Sequence, residues 1–339
     1  MSKIEWTEEV WNPVIGCRKV SPGCQNCYAV NMAHRHAANP KLGDTYHGLT
    51  VKHPNGQIDW SGKVKCLDDR LEIPLRRKKP TMYFVNSMSD LFHEDVPDEF
   101  IDRVFTVMCN SPQHTFQVLT KRPGRMMTWI RKQAEEDLCT EERYAAASGP
   151  SGCRIKILWP LPNVWLGVSV ENQATADERI PLLLQTPAAI RFISAEPLLG
   201  KVDLSSFSLH PSSFSLDWLI CGGESSPKAR PMHPDWARSL RDQCAAANVP
   251  FFFKQWGEWL PAEQNGLTEK GVPKFKPQEG HSIQEGSTIP ATRVTKWTDT
   301  VWSYFVGKAR AGSLLDGVEH KAYPAKNLSN PLLRSRGRG

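Results

Sequence analysis

Short apolar segments rich in β-branched and aromatic residues recur along the chain, and longer stretches with helical spacing of apolar residues separate them. The short segments predict strands over residues 82–87, 115–120, 164–170, 190–194, 217–223 and 250–256, with an earlier strand around 14–17. The longer stretches predict helices over residues 98–110, 176–186 and 233–248. Near-continuous apolar strands that alternate with helices are typical of a parallel sheet covered by helices.

The fold class that this alternation predicts is α/β, with six to seven parallel strands in a partial or complete βα barrel. Polar or charged clusters follow most of the predicted strands, at positions that form the catalytic rim of such a barrel. We predict that the barrel spans residues 1–257 and carries a surface insertion over 131–162. Residues 258–339 predict a loop-rich C-terminal extension with a closing element over 300–324 and a basic tail that contains Arg334, Arg336 and Arg338.

Composition narrows the class of protein. Hydrophobic residues make up 40% of the 339 residues, which is enough for a sizeable core, and no run approaches the roughly 20 apolar residues that span a bilayer. The N-terminus lacks the apolar segment of a signal peptide, so we expect a cytoplasmic protein with no membrane partner. A net charge of +6 and twelve tryptophans favour a nucleic-acid partner, although buried packing is the commoner use of tryptophan.

Three of the nine cysteines, Cys17, Cys24 and Cys27, are clustered near the N-terminus with C-x6-C-x2-C spacing. In a reducing compartment such a cluster indicates metal binding rather than disulfides. Iron–sulfur clusters are held by thiolates, and three thiolates leave one iron of a 4Fe–4S cluster open. An open iron can bind S-adenosyl-L-methionine, whose reductive cleavage gives a 5′-deoxyadenosyl radical. We therefore predict a 4Fe–4S cluster and S-adenosyl-L-methionine as cofactors, and an electron donor as a partner.

Other interpretations of the cysteines stay open at this point. Cys17, Cys24 and Cys27 together with His34 or His36 would make a closed zinc site. The first gap of the motif is also longer than the C-x3-C-x2-C spacing usual in radical S-adenosylmethionine enzymes. The remaining cysteines show no paired spacing, and burial is their expected role. They are Cys66, Cys109, Cys139, Cys153, Cys221 and Cys244. An accessory cluster from Cys66, Cys139 and Cys153 is the alternative to burial.

Polar residues at the ends of the predicted strands are the candidates for ligand binding, because those positions meet at one rim of a barrel. Candidates for binding the cofactor are Asp90, Lys121, Ser169, Glu171, Glu196 and Glu224. Candidates for the substrate or the rim are Arg122, Lys254, Gln255 and Trp256. A lysine inside an apolar strand needs a partner, and we predict Glu196 or Glu224 for Lys254. The alternatives are helix capping by Asp90, solvated or capping roles for the other charges, and core packing for Trp256.

Distinctive motifs extend over most of the chain. The most specific are WNPVIGCRKVSPGCQNCYA (11–29) and VNSMSDLFHE (85–94), and further matching stretches lie within 70–105, 116–126, 164–172, 191–200, 219–225, 251–259 and 307–317. Through them the chain resembles the phage Gp37/Gp68 family, a group of three-Cys-motif proteins of the DUF5131 type. The resemblance implies a radical S-adenosylmethionine-like barrel with a cluster on the three cysteines, and a three-Cys-motif partner protein.

The leading functional hypothesis is an iron–sulfur, S-adenosylmethionine-dependent radical enzyme that modifies or repairs nucleic acid. One alternative is a non-enzymatic, zinc-stapled phage protein that binds nucleic acid. Another is a radical enzyme that acts on a small molecule or a protein. The sequence contains no P-loop, no G-x-S-x-G elbow and no H-E-x-x-H helix, so phosphotransfer, serine hydrolysis and zinc proteolysis lack their usual motifs.

Overall fold

The computed structural model describes residues 4–135, 159–207, 216–264, 293–298 and 301–325. In chain order its strands are β1 (Glu9–Trp11), β2 (Val14–Ile15), β3 (Thr50–Lys52), β4 (Ile58–Trp60), β5 (Lys65–Cys66), β6 (Met82–Val85), β7 (Thr115–Thr120), β8 (Val164–Ser169), β9 (Ile190–Ala195), β10 (Trp218–Gly222), β11 (Phe251–Gln255), β12 (Trp259–Pro261), β13 (Val294–Lys296), β14 (Trp302–Phe305), β15 (Leu314–Leu315) and β16 (Val318–Glu319). Its helices are α1 (Tyr28–Ala37), α2 (Gly43–Tyr46), α3 (Ile73–Arg76), α4 (Asp98–Cys109), α5 (Pro123–Glu135), α6 (Gln173–Leu184), α7 (Pro234–Ala246) and α8 (Lys308–Ala311). Short 3-10 helices span Pro22–Cys24, Asp68–Arg70 and Ala262–Gln264.

Seven parallel strands form a half-barrel sheet in the order β1–β6–β7–β8–β9–β10–β11. Helices α4, α5 and α6 follow β6, β7 and β8 along the chain, and α7 lies between β10 and β11. The predicted α/β class with seven parallel strands is confirmed. The barrel is partial, because β1 and β11 are the two edges of this sheet and do not pair with each other. The likeness to radical S-adenosylmethionine barrels stays a prediction.

The first parallel strand lies earlier in the chain than the hydrophobic pattern indicates. It is β1, whereas Val14–Ile15 forms β2 and pairs antiparallel with β5. A strand does form within 14–17, but the expectation that it belongs to the parallel sheet is wrong. The pattern misleads because β1 exposes Glu9 and Val10, whereas β2 is fully buried. The pattern also misses α5, which includes residues 131–135 of the predicted insertion. Residues 136–158 of that insertion lie outside the described residues.

Side chains alternate between the two faces of the sheet, and this alternation determines what faces the concave side. Buried apolar side chains fill the concave side, most of them aromatic: Trp6, Phe84, Trp165, Ile190, Phe192, Trp218, Ile220 and Phe252. The partly buried Leu119 packs on the same cluster. Residues two or four positions after these side chains, toward the carboxyl ends of the strands, share this face and are polar: Lys121, Ser169, Ser194, Glu196, Glu224 and Lys254. The concave face is therefore apolar at one end and polar at the other.

The opposite face of the sheet packs against helices in the main hydrophobic core. Helix α4 contributes Phe100, Ile101 and Val104 to this core, and these residues follow the helical spacing that predicted the helix. Seven of the twelve tryptophans in the chain are buried. Core packing therefore accounts for much of the aromatic content, and tryptophan content loses weight as a sign of a nucleic-acid partner.

Part of the C-terminal segment 301–325 covers β11, which is an edge strand of the parallel sheet. The backbone N–H of Phe253 donates a hydrogen bond to the carbonyl of His320 (2.8 Å), and Tyr323 stacks on Trp218 with ring centroids 5.1 Å apart. Strands β12, β14 and β13 form a separate antiparallel sheet. The domain boundary at residue 257 stays a prediction, and residues 265–292 and 326–339 lie outside the described residues. None of the described helices has the length and apolar character needed to cross a membrane.

Candidate functional site

A cavity of about 620 Å³ lies at the carboxyl ends of the parallel strands. Its lining brings together the clustered cysteines and most of the candidate residues: Cys17, Cys24, Cys27, Asp90, Lys121, Arg122, Ser169, Glu196, Glu224, Lys254 and Gln255. Glu171 and Trp256 are not part of the lining. The alternation of the sheet explains this grouping, because the strand ends meet at one rim with the same face turned inward.

The chain that leads into Cys17 is held against the loop that follows β6. The backbone N–H of Gly16 donates to the carbonyl of Met88 (3.1 Å), and the Ser89 hydroxyl donates to the carbonyl of Val14 (2.8 Å). Gly16 has φ +88°, and a Cβ there would lie 2.2 Å from the carbonyl oxygen of Lys63, so only glycine fits. The motif VNSMSDLFHE therefore fixes the start of the cysteine loop, which we define as residues 17–27.

Glu171 anchors the middle of the cysteine loop to the end of β8. Its carboxylate accepts a hydrogen bond from the Ser21 hydroxyl (2.7 Å) and forms ion pairs with Lys121 and with Arg179 (3.1 Å). Burial alone would raise the pKa of this fully buried carboxyl, but the two cations hold the pKa below its ordinary value. A Cβ on Gly23 would lie 2.4 Å from its Oε1 atom, so the loop packs directly on the carboxylate.

Glu224 anchors the end of the cysteine loop to the end of β10. Its Oε2 atom accepts hydrogen bonds from the Asn26 amide (3.0 Å) and from Arg230 Nε (2.9 Å). Arg230 in turn donates to the carbonyl of Pro22 (3.0 Å) and to the side chain of Gln25 (3.3 Å). One buried carboxylate and one guanidinium thereby connect the sheet to both ends of the short helix that contains Cys24.

Burial disfavours the thiolate form of two of the three clustered cysteines. Burial, with the charge of Asp90 adding to it and that of Arg122 opposing it, raises the pKa of Cys17 to about 12. Burial also raises the pKa of Cys27. A thiolate here needs an added positive charge, which a bound metal supplies, so the donor set fits a thiolate-ligated metal group. Among the described residues, no three His, Cys, Asp or Glu side chains are grouped closely enough to form a metal site.

The sequence model of one protein family, described as a protein of unknown function (DUF5131), matches residues 1–324. The chain belongs to the DUF5131 family. The family prediction is confirmed at this level, while the phage Gp37/Gp68 name and the radical chemistry stay predictions. Neither the curated proteins nor the solved structures contain a significant match to the chain.

The two histidines proposed as a fourth zinc ligand lie away from the cavity of this DUF5131 protein. His34 Nδ1 is 3.1 Å from the Thr50 hydroxyl, and the ring of His36 packs on Tyr46 with centroids 4.8 Å apart. Burial and the charges of neighbouring arginines lower the pKa of His36. Among the described residues that line the cavity there is no histidine.

Asp90 organises the end of β7. Its carboxylate accepts hydrogen bonds from the Thr120 hydroxyl (2.7 Å), from the backbone N–H groups of Phe92 and Lys121 (3.0 Å each), and from the Arg122 guanidinium (3.1 Å). The alternative of helix capping does not hold, because the next helix, α4, begins eight residues later at Asp98. Asp90 thus holds Arg122 in the cavity wall beside Cys17.

Glu196 and Lys254 form an ion pair of 2.9 Å on the floor of the cavity, so the predicted pairing of Lys254 is confirmed with Glu196 as its partner. The carboxylate also accepts hydrogen bonds from Trp6 Nε1 (3.1 Å) and from the Ser194 hydroxyl (3.2 Å). Ser169 lines the cavity nearby. This floor offers both a cation and hydroxyl groups to a polar ligand.

Two rim candidates serve the framework of this DUF5131 protein. Gln255 donates to the carbonyl of Gly223 and to the Ser225 hydroxyl, each at 3.1 Å, and so joins the ends of β10 and β11. Trp256 is 1% exposed and donates to the carbonyl of Leu314 (2.8 Å). The structure corrects Trp256 from a rim residue to a core residue. Continued strand alternation would turn it to the same face as Lys254, but β11 ends at Gln255 and the Trp256 ring packs on Phe253 in the main core, with ring centroids 4.9 Å apart.

The accessory cysteines show no site within the described residues. Cys221 and Cys244 are buried and burial raises the pKa of both, to about 12 for Cys244. Cys66 and Cys109 are half-buried, and neither lines the cavity. Cys139 and Cys153 lie outside the described residues, so an accessory cluster stays untested.

Sequence reasoning misses the residues that dock the cysteine loop and fill the floor, namely Trp6, Ser21, Asn26, Arg179 and Arg230. Trp6 precedes the first strand, and its place under Glu196 depends on a contact between distant parts of the chain. Arg230 follows a loop after β10 that carries no periodic signal. The one available signal is strand alternation, which turns Glu196 and Glu224 inward. Because inward carboxylates need hydrogen-bonding partners, other parts of the chain had to supply them.

Proposed function

We propose that this DUF5131 protein is an iron–sulfur enzyme that binds S-adenosyl-L-methionine in the cavity. The observation that carries the proposal is the set of three thiols, Cys17, Cys24 and Cys27, on one cavity at the carboxyl ends of a parallel sheet, with no histidine among its described lining residues. Three thiolates leave a ligand position open on a 4Fe–4S cluster. The bound groups would supply radical chemistry.

The chain's own residues support this proposal by placement and by charge. Two buried carboxylates, Glu171 and Glu224, tie the cysteine loop to strand ends, so the ligand-bearing loop rests on rigid elements. The Glu196–Lys254 pair and the Ser169 hydroxyl offer an acceptor and donors to the amino, carboxylate and ribose groups of a nucleoside cofactor. A volume of about 620 Å³ is in the range of small-molecule sites.

The substrate and the partners of the reaction stay predictions. Nucleic acid as the substrate, a three-Cys-motif partner protein and an electron donor are expected from the sequence alone. No described residue outside the cavity adds to the case for the zinc-stapled alternative. Zinc is therefore kept as an outcome of the metal assay rather than as a second proposal.

Anaerobic purification followed by iron, sulfide and zinc analysis tests the proposal. We expect a brown protein with broad absorbance near about 400 nm and stoichiometric iron and sulfide. Replacing Cys17, Cys24 or Cys27 by alanine removes the absorbance, whereas Cys66→Ala, outside the cavity, retains it. A colourless protein with one tightly bound zinc contradicts the proposal, and so does a cluster that survives the alanine variants.

Cofactor use is measured separately on the reduced, iron-loaded protein. We expect 5′-deoxyadenosine to form from S-adenosyl-L-methionine, and Lys254→Met to weaken cofactor binding because Glu196 loses its cation. The matched control is Lys79→Met, which removes an exposed lysine that precedes β6 and does not line the cavity. Iron-loaded protein that neither binds nor cleaves the cofactor leaves an iron–sulfur protein without the proposed chemistry.

A further inference from the structure

The cavity of this protein carries more positive than negative charge. Three carboxylates line it, Asp90, Glu196 and Glu224, against seven cationic side chains, which are Arg18, Lys19, Arg35, Lys121, Arg122, Lys254 and Lys308. Five of these cations form ion pairs with carboxylates. The side chains of Arg35 and Lys308 form no ion pair with a carboxylate of the described residues, although the backbone N–H of Lys308 donates to the Glu258 carboxylate (3.0 Å). They come from separate parts of the chain, α1 and α8, and both face the cavity.

Helix α1 turns a flat and largely apolar wall toward the same space. Tyr28, Met32 and Arg35 are spaced four and three residues apart, which places them on one face of the helix, and all three line the cavity. Trp60 lines it from β4, which packs beside α1. The Tyr28 hydroxyl donates to the carbonyl of Ser87 (3.1 Å), which fixes the ring while leaving the residue 43% exposed.

We propose that this wall binds a nucleotide unit of the substrate. A planar base would pack on the Trp60, Met32 and Tyr28 side chains, because aromatic and thioether groups favour flat π systems. Its phosphate groups would pair with Arg35 and Lys308, the lining cations whose side chains form no ion pair with a described carboxylate. The inference rests on the proposed function only in placing the substrate in the same cavity as the cofactor. A free nucleotide and a nucleic-acid strand share this chemistry.

Binding measurements on the purified full-length protein test this wall. The probes are labelled short single strands of DNA and RNA of mixed sequence, and the nucleoside 5′-monophosphates in separate titrations. We expect Arg35→Ala and Lys308→Ala each to weaken binding of the strands about tenfold and to reduce the slope of log affinity against log salt by about one. Trp60→Ala should weaken binding about tenfold with no change in that slope.

Matched controls separate a site from general surface charge. Arg310→Ala removes a cation two residues from Lys308 that does not line the cavity, and Arg76→Ala removes an exposed arginine elsewhere; both should bind as the unmodified chain does. Tight binding of the monophosphates identifies a free nucleotide as the ligand, and binding of strands alone identifies nucleic acid. Both results support the wall as a nucleotide site.

Three outcomes would overturn the inference. They are no binding of any probe at low salt, an Arg310→Ala effect equal to that of Lys308→Ala, and Arg35→Ala or Lys308→Ala protein that loses S-adenosyl-L-methionine but keeps the strands. Probe binding is measured with the iron present and after chelation. A failed iron assay therefore leaves a positive strand result standing, and absent strand binding leaves the cluster assay untouched.

Discussion

Gly23 occupies a point where no side chain fits. A Cβ there would approach the Oε1 and Cγ atoms of Glu171 to 2.4 and 2.5 Å, and the buried Glu171 side chain is held by three partners and cannot retreat. We expect Gly23→Ala to displace the cysteine loop, to lower the free energy of unfolding by about 1–3 kcal/mol, and to reduce bound iron. Urea unfolding and iron analysis measure the two effects.

Gly124→Ala is the control for this substitution. Gly124 is the second residue of α5, and nothing lies within 4 Å of the position its Cβ would take. Alanine is the better helix former, so this variant should be unchanged or more stable by up to about 1 kcal/mol, with full iron content. Equal stability and equal iron in both alanine variants would mean that the loop does not rest on Glu171.

Glu171 makes the free energy of unfolding fall at acidic pH. Lys121 and Arg179 lower the pKa of its carboxyl in the folded protein. Its contribution is therefore complete above the unfolded pKa of about 4.3 and is lost as the pH falls below that value through the folded pKa. We expect Glu171→Gln to cost about 3–5 kcal/mol at neutral pH, because two cations lose their partner.

Unfolding at a series of pH values checks this prediction. The difference in unfolding free energy between the unmodified chain and Glu171→Gln should shrink as the pH falls below about 4.3. Glu72→Gln is the control, since Glu72 pairs with Arg76 on the exposed surface and should cost at most about 0.5 kcal/mol. A difference that stays constant down to the acid limit would show that the folded carboxyl has no special preference for its charged form.

At the scale of single residues, the sequence predicts which side chains lie at strand ends and therefore at the cavity. Lys121, Ser169, Glu196 and Lys254 are predictable members of one cavity because parallel strands bring their carboxyl ends together and side chains alternate. Arg230 is not predictable in this way, since its role depends on the tertiary approach of two loops. The sequence likewise gives no means to choose between the rim and the core for Trp256. Alternation continued from Lys254 would place it at the rim, and it reaches the core because β11 ends at Gln255.

At the level of elements, one guanidinium carries much of the docking of the cysteine loop. Arg230 bridges Glu224 to Pro22 and Gln25. Its removal leaves the hydrogen bond from Asn26 to Glu224 as the remaining side-chain link between the loop and the end of β10. We expect Arg230→Ala to reduce protection of the loop amides about tenfold in hydrogen exchange and to speed iron release by a similar factor. Mass spectrometry of peptides that contain residues 17–27 measures the first effect without needing metal.

Arg230→Lys and Arg131→Ala make the Arg230→Ala result specific. Lysine keeps the charge but lacks the planar fork that reaches several acceptors at once, so Arg230→Lys should restore only part of the protection. Arg131 binds the carbonyl of Gln185 far from the loop along the chain, and its removal should leave the peptide unchanged. Full protection in Arg230→Ala would show that Ser21 and Asn26 suffice to hold the loop.

Elements with a strong periodic pattern are predictable from this sequence. A very short strand and a helix whose first residues resemble a turn are not. Strands β7 to β11 and helices α4 and α7 match the hydrophobic pattern to within two residues at either end, because each buries a continuous face. Strand β1 is three residues long and two of them are exposed, so its pairing with β6 comes from the sheet rather than from its own sequence. Helix α5 begins at Pro123 and Gly124, which as a pair look like a turn.

For the whole molecule, the open half-barrel has an edge that must be covered. Residues 313–325 cover part of β11, because the carbonyl of His320 accepts from the N–H of Phe253 (2.8 Å) and the N–H of Ala322 donates to the carbonyl of Phe251 (3.3 Å). Asp316 pairs with Arg238 and Arg241 of α7, and hydrogen bonds from Arg238 hold its pKa far below the ordinary value. An uncovered parallel edge invites pairing with other chains.

Truncation tests how much the fold depends on this cover. A chain that ends at Gly312 keeps Lys308 in the cavity but loses Leu315, Asp316 and Tyr323, so we expect a loss of about 3–5 kcal/mol and concentration-dependent association through β11. A chain that ends at Ala325 loses no described contact and should unfold at the same temperature as the full chain, while its affinity for a nucleic-acid strand reports on the basic tail. Thermal unfolding and light scattering over a range of concentrations measure both variants. If the shorter chain stayed monomeric with an unchanged Tm, the half-barrel would be self-sufficient and the C-terminal segment would serve the cavity alone.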